Sequence, residues 1–150
     1  MNRPSRTMIH MTTAVMWSSR SVCKRAKVGC VITTEDMRRV LSIGYNGPAR
    51  NLTDDHCTGK EGQCGCLHAE DNAVAFVDST IPNKIAFITM TPCRACAQRL
   101  VQANVRTIYI MRQYRDDAGL SILRECEVQV KTIRESIVRD FLSCQVRLLQ

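Results

Sequence analysis

The sequence predicts an α/β domain: a mixed sheet of about five strands covered by helices. After residue 66, apolar strand-like runs alternate with segments of helical spacing, which implies parallel neighbouring strands joined by helical crossovers. Before that point, two apolar, β-branched runs, VGCVITT (28–34) and VLSIGY (40–45), flank a polar EDMRR stretch, the pattern of a hairpin. The chain's 150 residues suit one domain with a sizeable core, so residues 1–150 are read as a single unit.

Taken in order, residues 5–20 read as a helix, with Met8, Met11, Val15 and Trp17 available for a buried face. The hairpin follows. From Asn46 to Gly65 the chain is polar and rich in Gly, Asn, Asp and Thr; a loop of that length in a compact domain is functional or held by something. HAEDNAVAFVD (68–78) has helical character, and KIAFITM (84–90) reads as a buried strand. CRACAQRLVQAN (93–104) is helical in spacing, with Asn104 near its end. RTIYIM (106–111) is a strand, 116–126 a short helix, EVQVKT (127–132) a last strand and 135–149 a closing helix. There is no repeat, low-complexity tract or internal linker.

Composition bounds the function. Apolar residues make up 45% and charged residues 23%, the balance of an ordinary soluble globular protein. No apolar run approaches membrane-spanning length, and the N-terminal MNRPSRTMIHMTTAVMWSS has no apolar block followed by a small-residue cleavage site. A cytoplasmic location and no membrane partner are therefore expected. The net charge of +7 suits anionic partners, but a nucleotide phosphate, a nucleic acid backbone and a merely solvated basic surface all satisfy it. Nine cysteines, an odd count without a secretory signal, point to metal or catalysis and away from a disulfide framework. Cys126 and Cys144, remote from the others in a region of helical pattern, read as small buried hydrophobes.

Two stretches carry the chemistry. CLHAEDNA (66–73) places His68 and Glu70 two apart at a helix start, and TPCRACAQ (91–98) places Cys93 and Cys96 three apart on the first turn of another, with Pro92 before it. One imidazole and two thiolates make a three-ligand zinc site with the fourth position open for water, and a helix start favours thiolate over thiol. Glu70, not needed as a ligand, is free to move protons between activated water and a departing amine. The chemistry implied is hydrolytic deamination. Alone, P-C-x-x-C also fits a structural zinc knuckle or a redox pair, and H-x-E is weak; together they form the known H-x-E…P-C-x-x-C signature of zinc deaminases.

With those motifs, and with SSRSVCKRAKVGCVI, SIGYNGPAR, HCTGKEGQCGCLHAEDNAV and YIMRQYRDDAGLSIL, the sequence resembles the cytidine deaminase superfamily over about residues 15–132. The resemblance is greatest to the deoxycytidylate (dCMP) deaminases. GYNG together with HAExNA separates that group from free-cytidine, tRNA and single-strand polynucleotide deaminases. The resemblance implies a three-layer fold, a catalytic Zn2+ on His68, Cys93 and Cys96, and conversion of dCMP to dUMP as thymidylate precursor.

Gly44 and Gly47 read as permitting a tight turn at a strand end, and Asn46 offers both donor and acceptor. The resemblance implies that Asn46 contacts the deoxyribose hydroxyl and that Tyr45 shapes the same wall. The Ala69 amide, free at a helix start, is expected to meet the pyrimidine carbonyl. Lys24, Arg25 and Lys27, with Tyr114 and Arg115, are candidates for the phosphate, and the resemblance favours Arg25 and Tyr114.

Some relatives carry a second, structural zinc near the long loop, where Cys23, Cys57 and Cys64 stand at matching places; His56 or Cys66 would be the fourth ligand. The resemblance also implies a homo-oligomer, with hexamers favoured, and regulation by dCTP and dTTP. A shortened loop, and GPAR where many relatives have a second glycine, bear on that effector site. Rival readings are a deaminase of dCTP, a modified deoxycytidylate or a nucleic-acid base, and a non-catalytic zinc module that binds nucleotides. A nucleic acid partner is not expected.

Overall fold

The predominantly apolar runs GCVIT and KIAFITM become adjacent strands inside a mixed sheet. The computed structural model describes residues 3–114 and 116–149. In chain order the elements are α1 (Arg6–Ser18), β1 (Gly29–Thr33), β2 (Val40–Tyr45), a 3-10 turn (Asp54–His56), α2 (Ala69–Val74), β3 (Lys84–Met90), α3 (Arg94–Gln102), β4 (Val105–Arg112), α4 (Ala118–Glu125), β5 (Gln129–Thr132) and α5 (Glu135–Arg147). The strand order is β2-β1-β3-β4-β5. β1 runs antiparallel to both of its neighbours, whereas β3, β4 and β5 are mutually parallel. The five-stranded mixed α/β sheet expected from the sequence is present.

Side-chain alternation along the strands divides the core into two layers. Cys30, Ile32, Ala86, Ile88, Ile108 and Ile110 face α2, α3 and α4, meeting Ala73, Leu100 and Leu123. Val31, Ile85, Phe87 and Met111 face the other way, onto Met11 and Ala14 of α1 and Val138 of α5. Helices on both faces explain why β1 is buried along its whole length, as strands covered on both sides are. β2, at the sheet edge, is only partly buried. Among the described residues no helix is long and apolar enough to cross a membrane.

Several expectations need correction. The helix read over 68–78 closes after Val74, and the Asp78 carboxylate accepts from the Thr80 N–H (2.9 Å) and hydroxyl (2.6 Å), committing the chain to a turn. Gly44 and Gly47 do not make a tight turn: Gly44 lies inside β2, and Gly47 forms an antiparallel bridge with Leu67. Cys126 and Cys144 are exposed rather than buried. Cys126 caps α4, and Cys144 lies off the stripe on which α5 sets Val138 and Leu142 against the core. Trp17 is partly exposed and stacks on Tyr45 with ring centroids 6.1 Å apart.

Candidate active site

The bridge between Gly47 and Leu67 (N–H to O distances 3.1 and 2.8 Å) brings the end of the long loop back beside β2, one residue before His68. His68 is the N-cap of α2 in extended conformation. α2 then lies directly on β2, and only glycine permits that approach: a Cβ at Gly44 would stand 2.0 Å from the Ala69 carbonyl oxygen. On the other side Cys93 is the N-cap of α3, and Cys96 occupies its first turn. Gly119 lets α4 pack under this start, since a Cβ there would lie 1.9 Å from Pro92 O.

His68 Nδ1 is 3.6 Å from Cys93 Sγ and 3.4 Å from Cys96 Sγ, and the three ligand atoms lie within 4.8 Å of one another. Zinc–sulfur bonds of about 2.3 Å and zinc–nitrogen bonds of about 2.05 Å at a tetrahedral angle give an S···N edge of about 3.6 Å. The donor set therefore fits zinc in both type and spacing. Burial, with the nearby charge of Glu70, pushes the Cys96 thiol up, so a cation is what makes a thiolate tenable at this position.

Glu70 is 4% exposed. Its burial pushes the carboxyl up to about 7, the neighbouring Asp71 charge adds to the rise, and its own backbone N–H opposes it. A carboxyl so placed can both accept and release a proton near neutrality. Glu70 shares a cavity of about 470 Å³ with His68 and Cys93, a volume in the range that takes small-molecule ligands.

Asn46 and Ala69 line that cavity. The Asn46 side chain is already engaged: Oδ1 accepts from Val28 N–H at 2.8 Å and Nδ2 donates to Ala26 O at 2.7 Å. One amide hydrogen and one lone pair remain for the cavity. Arg25 and Tyr114 also line it, with the Arg25 Nη2 3.3 Å from the Tyr114 hydroxyl. Lys24 and Lys27 are exposed and stand outside the lining, and Arg115 lies outside the described residues. Tyr45 is not part of this wall: its ring stacks on Trp17 and lies 5.9 Å from the Arg20 guanidinium. Strand alternation explains this, because Gly44 faces α2 and the next side chain must face α1.

Cys23, Cys57, Cys64 and Cys66 form a second group whose sulfurs lie within 4.8 Å of one another. The Cys57 and Cys23 sulfurs are 3.9 Å apart, close to the S···S edge of about 3.8 Å for a zinc held tetrahedrally by four thiolates. Of the two candidates for fourth member, Cys66 is in the group; His56, exposed in the 3-10 turn, is not. A backbone N–H from Lys24 (3.4 Å) is the main influence lowering Cys57 to about 7. Cys23, Cys64 and Cys66 also line the cavity, so this group builds part of the wall.

The family described as "Cytidine and deoxycytidylate deaminase zinc-binding region" matches residues 3–112. The chain belongs to that family. The deoxycytidylate deaminase of Saccharomyces cerevisiae is 32% identical over 142 residues, covering 86% of this chain and 45% of the yeast protein. This deaminase-family chain thus spans less than half the length of that relative. The deoxycytidylate deaminase of Mycobacterium phage D29 is 31% identical, and the match covers 73% of this chain and 97% of the phage protein. The crystal structure of dCMP deaminase from cyanophage S-TIM5 in complex with dCMP and dUMP superposes with a TM-score of 0.76 at 30% identity, covering 89% of this chain and all of that one. The deaminase fold and a zinc-binding region are therefore properties of this chain.

Sequence reasoning missed three polar side chains of this candidate site. Asp71 Oδ2 accepts from His68 N–H at 3.3 Å, and its Oδ1 accepts from Arg99 of α3 at 2.5 Å. Glu61, from the long loop, reaches the cavity beside Arg25 and Tyr114. Asp71 sits three residues after the N-cap, a capping-box position that was there to be read. Arg99 and Glu61 carried no local signal.

Proposed function

We propose that this chain deaminates dCMP hydrolytically to dUMP and ammonia. The observation that carries the reading is a buried Glu70 carboxylate beside a His68–Cys93–Cys96 donor set, in one cavity with an arginine–tyrosine pair suited to a phosphate. The cyanophage protein that resembles this chain binds dCMP and dUMP, which supports the same substrate here. Zinc held by the three ligands supplies Lewis acidity and makes water nucleophilic near neutral pH.

The chain's own groups do the rest. Asn46 holds the sugar hydroxyl with its spare hydrogen and lone pair, and the Ala69 N–H meets the pyrimidine carbonyl. Arg25 and Tyr114 hold the phosphate. As the oxygen of water bonds to C4, Glu70 takes a proton and delivers it to ring N3. It then passes the second to the exocyclic nitrogen, whose bond to C4 breaks. The two hydrogens of water end on N3 and in ammonia, so the exchange balances.

Cys23, Cys57, Cys64 and Cys66 hold a second, structural zinc that orders the long loop; their mutual spacing supports this. Assembly into homo-oligomers, with hexamers favoured, belongs to the same reading; exposed apolar side chains such as Phe76, 67% exposed, are available for subunit contacts. The test is zinc quantification alongside deamination rates on dCMP, dCTP, cytidine and an oligonucleotide, with and without dCTP or dTTP as effector. Fastest turnover of dCMP by zinc-loaded protein is expected. An oligonucleotide turned over faster, or zinc-loaded protein inert on all four, overturns the reading.

A further inference from the structure

The loop from Cys57 to Cys66 is held at both ends by the four-cysteine group and closed on itself by hydrogen bonds from Thr58 N to Cys64 O (3.0 Å), from the Thr58 hydroxyl to Gln63 O (2.9 Å) and from Gln63 N to Lys60 O (3.2 Å). Gly59 and Gly62 flank its tip with positive φ angles of 74° and 67°. The tip carries Glu61. One carboxylate oxygen of Glu61 accepts from the Tyr114 hydroxyl at 3.3 Å and stands 3.6 Å from Arg25 Nη2; Arg25 Nη2 is itself 3.3 Å from the same hydroxyl. All three side chains line the cavity.

We infer that Glu61 is a specificity-determining residue: its carboxylate occupies the Arg25–Tyr114 pair in the absence of nucleotide and must be displaced by a substrate phosphate. A carboxylate and a phosphate oxygen offer a guanidinium the same kind of acceptor. Both anions cannot share one arginine without like-charge repulsion, so Glu61 competes with the ligand phosphate. The Glu61 side chain is 81% exposed while that of Arg25 is 30% exposed. The carboxylate therefore swings back to water at small cost, whereas the arginine stays in place. A nucleoside without phosphate leaves Glu61 where it is. Glu61 thus sets how much affinity a phosphate adds, and it trims the advantage of a nucleotide over its nucleoside.

The inference rests on Arg25 and Tyr114 being the phosphate end. Equilibrium binding of dUMP and of deoxyuridine to the zinc-loaded chain, measured by calorimetry, tests it without relying on turnover. The variants are Glu61→Gln, which keeps the acceptor and removes the charge, Arg25→Gln, and the two together. Glu61→Gln is expected to tighten dUMP about two- to fivefold, the range an exposed ion pair is worth, while deoxyuridine binding stays as it was. Arg25→Gln weakens dUMP, and in that background Glu61→Gln has no further effect. If Arg25→Gln weakens dUMP but Glu61→Gln leaves it unchanged or weaker, the competitor role is overturned and the phosphate reading stands. If Arg25→Gln leaves dUMP binding unchanged, the phosphate reading fails, and the role of Glu61 fails with it.

Discussion

Asp71 joins the two halves of the candidate metal site: one carboxylate oxygen accepts from the backbone N–H of His68 at 3.3 Å, the other from Arg99 of α3 at 2.5 Å. The backbone under one ligand is thereby tied to the helix that carries Cys96. Partners of this kind orient metal ligands and are commonly worth 10- to 100-fold in metal affinity. Asp71→Ala is expected to weaken zinc binding by about tenfold or more, read by competition with a chromophoric chelator. Circular dichroism should remain that of the folded chain. Unchanged zinc affinity would remove Asp71 from the account.

Glu70 is assigned proton transfer and no metal coordination. Glu70→Gln keeps the shape of the buried side chain and removes its capacity to take a proton, so zinc content should hold while dCMP turnover falls by about 10²- to 10⁴-fold. Zinc analysis and a steady-state assay on the same preparation check this. A variant that loses its zinc, or that turns over normally, contradicts the assignment.

Gly44 is required by proximity. A methyl at that position would sit 2.0 Å from the backbone oxygen of Ala69, with no flexible side chain to yield. Gly44→Ala is expected to cost about 1–3 kcal/mol of stability and to displace the start of α2 that carries His68 and Glu70. A lowered thermal midpoint together with a larger loss of activity is the predicted pair. An unchanged midpoint would mean that α2 shifts freely on β2.

Cys57 is fully buried within the four-cysteine group and contributes to no other site described. If the proposed second zinc is held there, Cys57→Ser lowers the zinc content by one ion per chain and leaves the loop between residues 58 and 65 open to proteolysis, which fragment mapping would locate. Because Cys23, Cys64 and Cys66 line the cavity, KM for dCMP should rise in the same variant. Unaltered zinc content and proteolytic resistance would mean that these thiols order the loop without metal.

What was legible in the sequence is what local pattern can encode. GCVIT and KIAFITM announced strands because each is mostly apolar and β-branched over a short run, and His68, Cys93 and Cys96 announced a candidate metal site because helix-start spacing is a local property. The direction of Tyr45 was lost because a strand's facing depends on what covers each side: a glycine at 44 beneath α2 sends the next ring towards Trp17. Lys84 passed as one more strand residue. It is fully buried, and its ammonium donates to Ile81 O and Ala103 O, a role fixed by where α3 ends in space. Glu61 and Arg99 meet partners 53 and 28 residues away in sequence, beyond any periodicity.

The most direct measurement is a crystal of the zinc-loaded protein with anomalous difference maps recorded at energies on either side of the zinc edge. The account predicts a peak about 2.0–2.3 Å from His68 Nδ1, Cys93 Sγ and Cys96 Sγ, with the Glu70 carboxylate outside the coordination sphere. Zinc density confined to the four-cysteine group, or a metal ligated by Glu70, would contradict it.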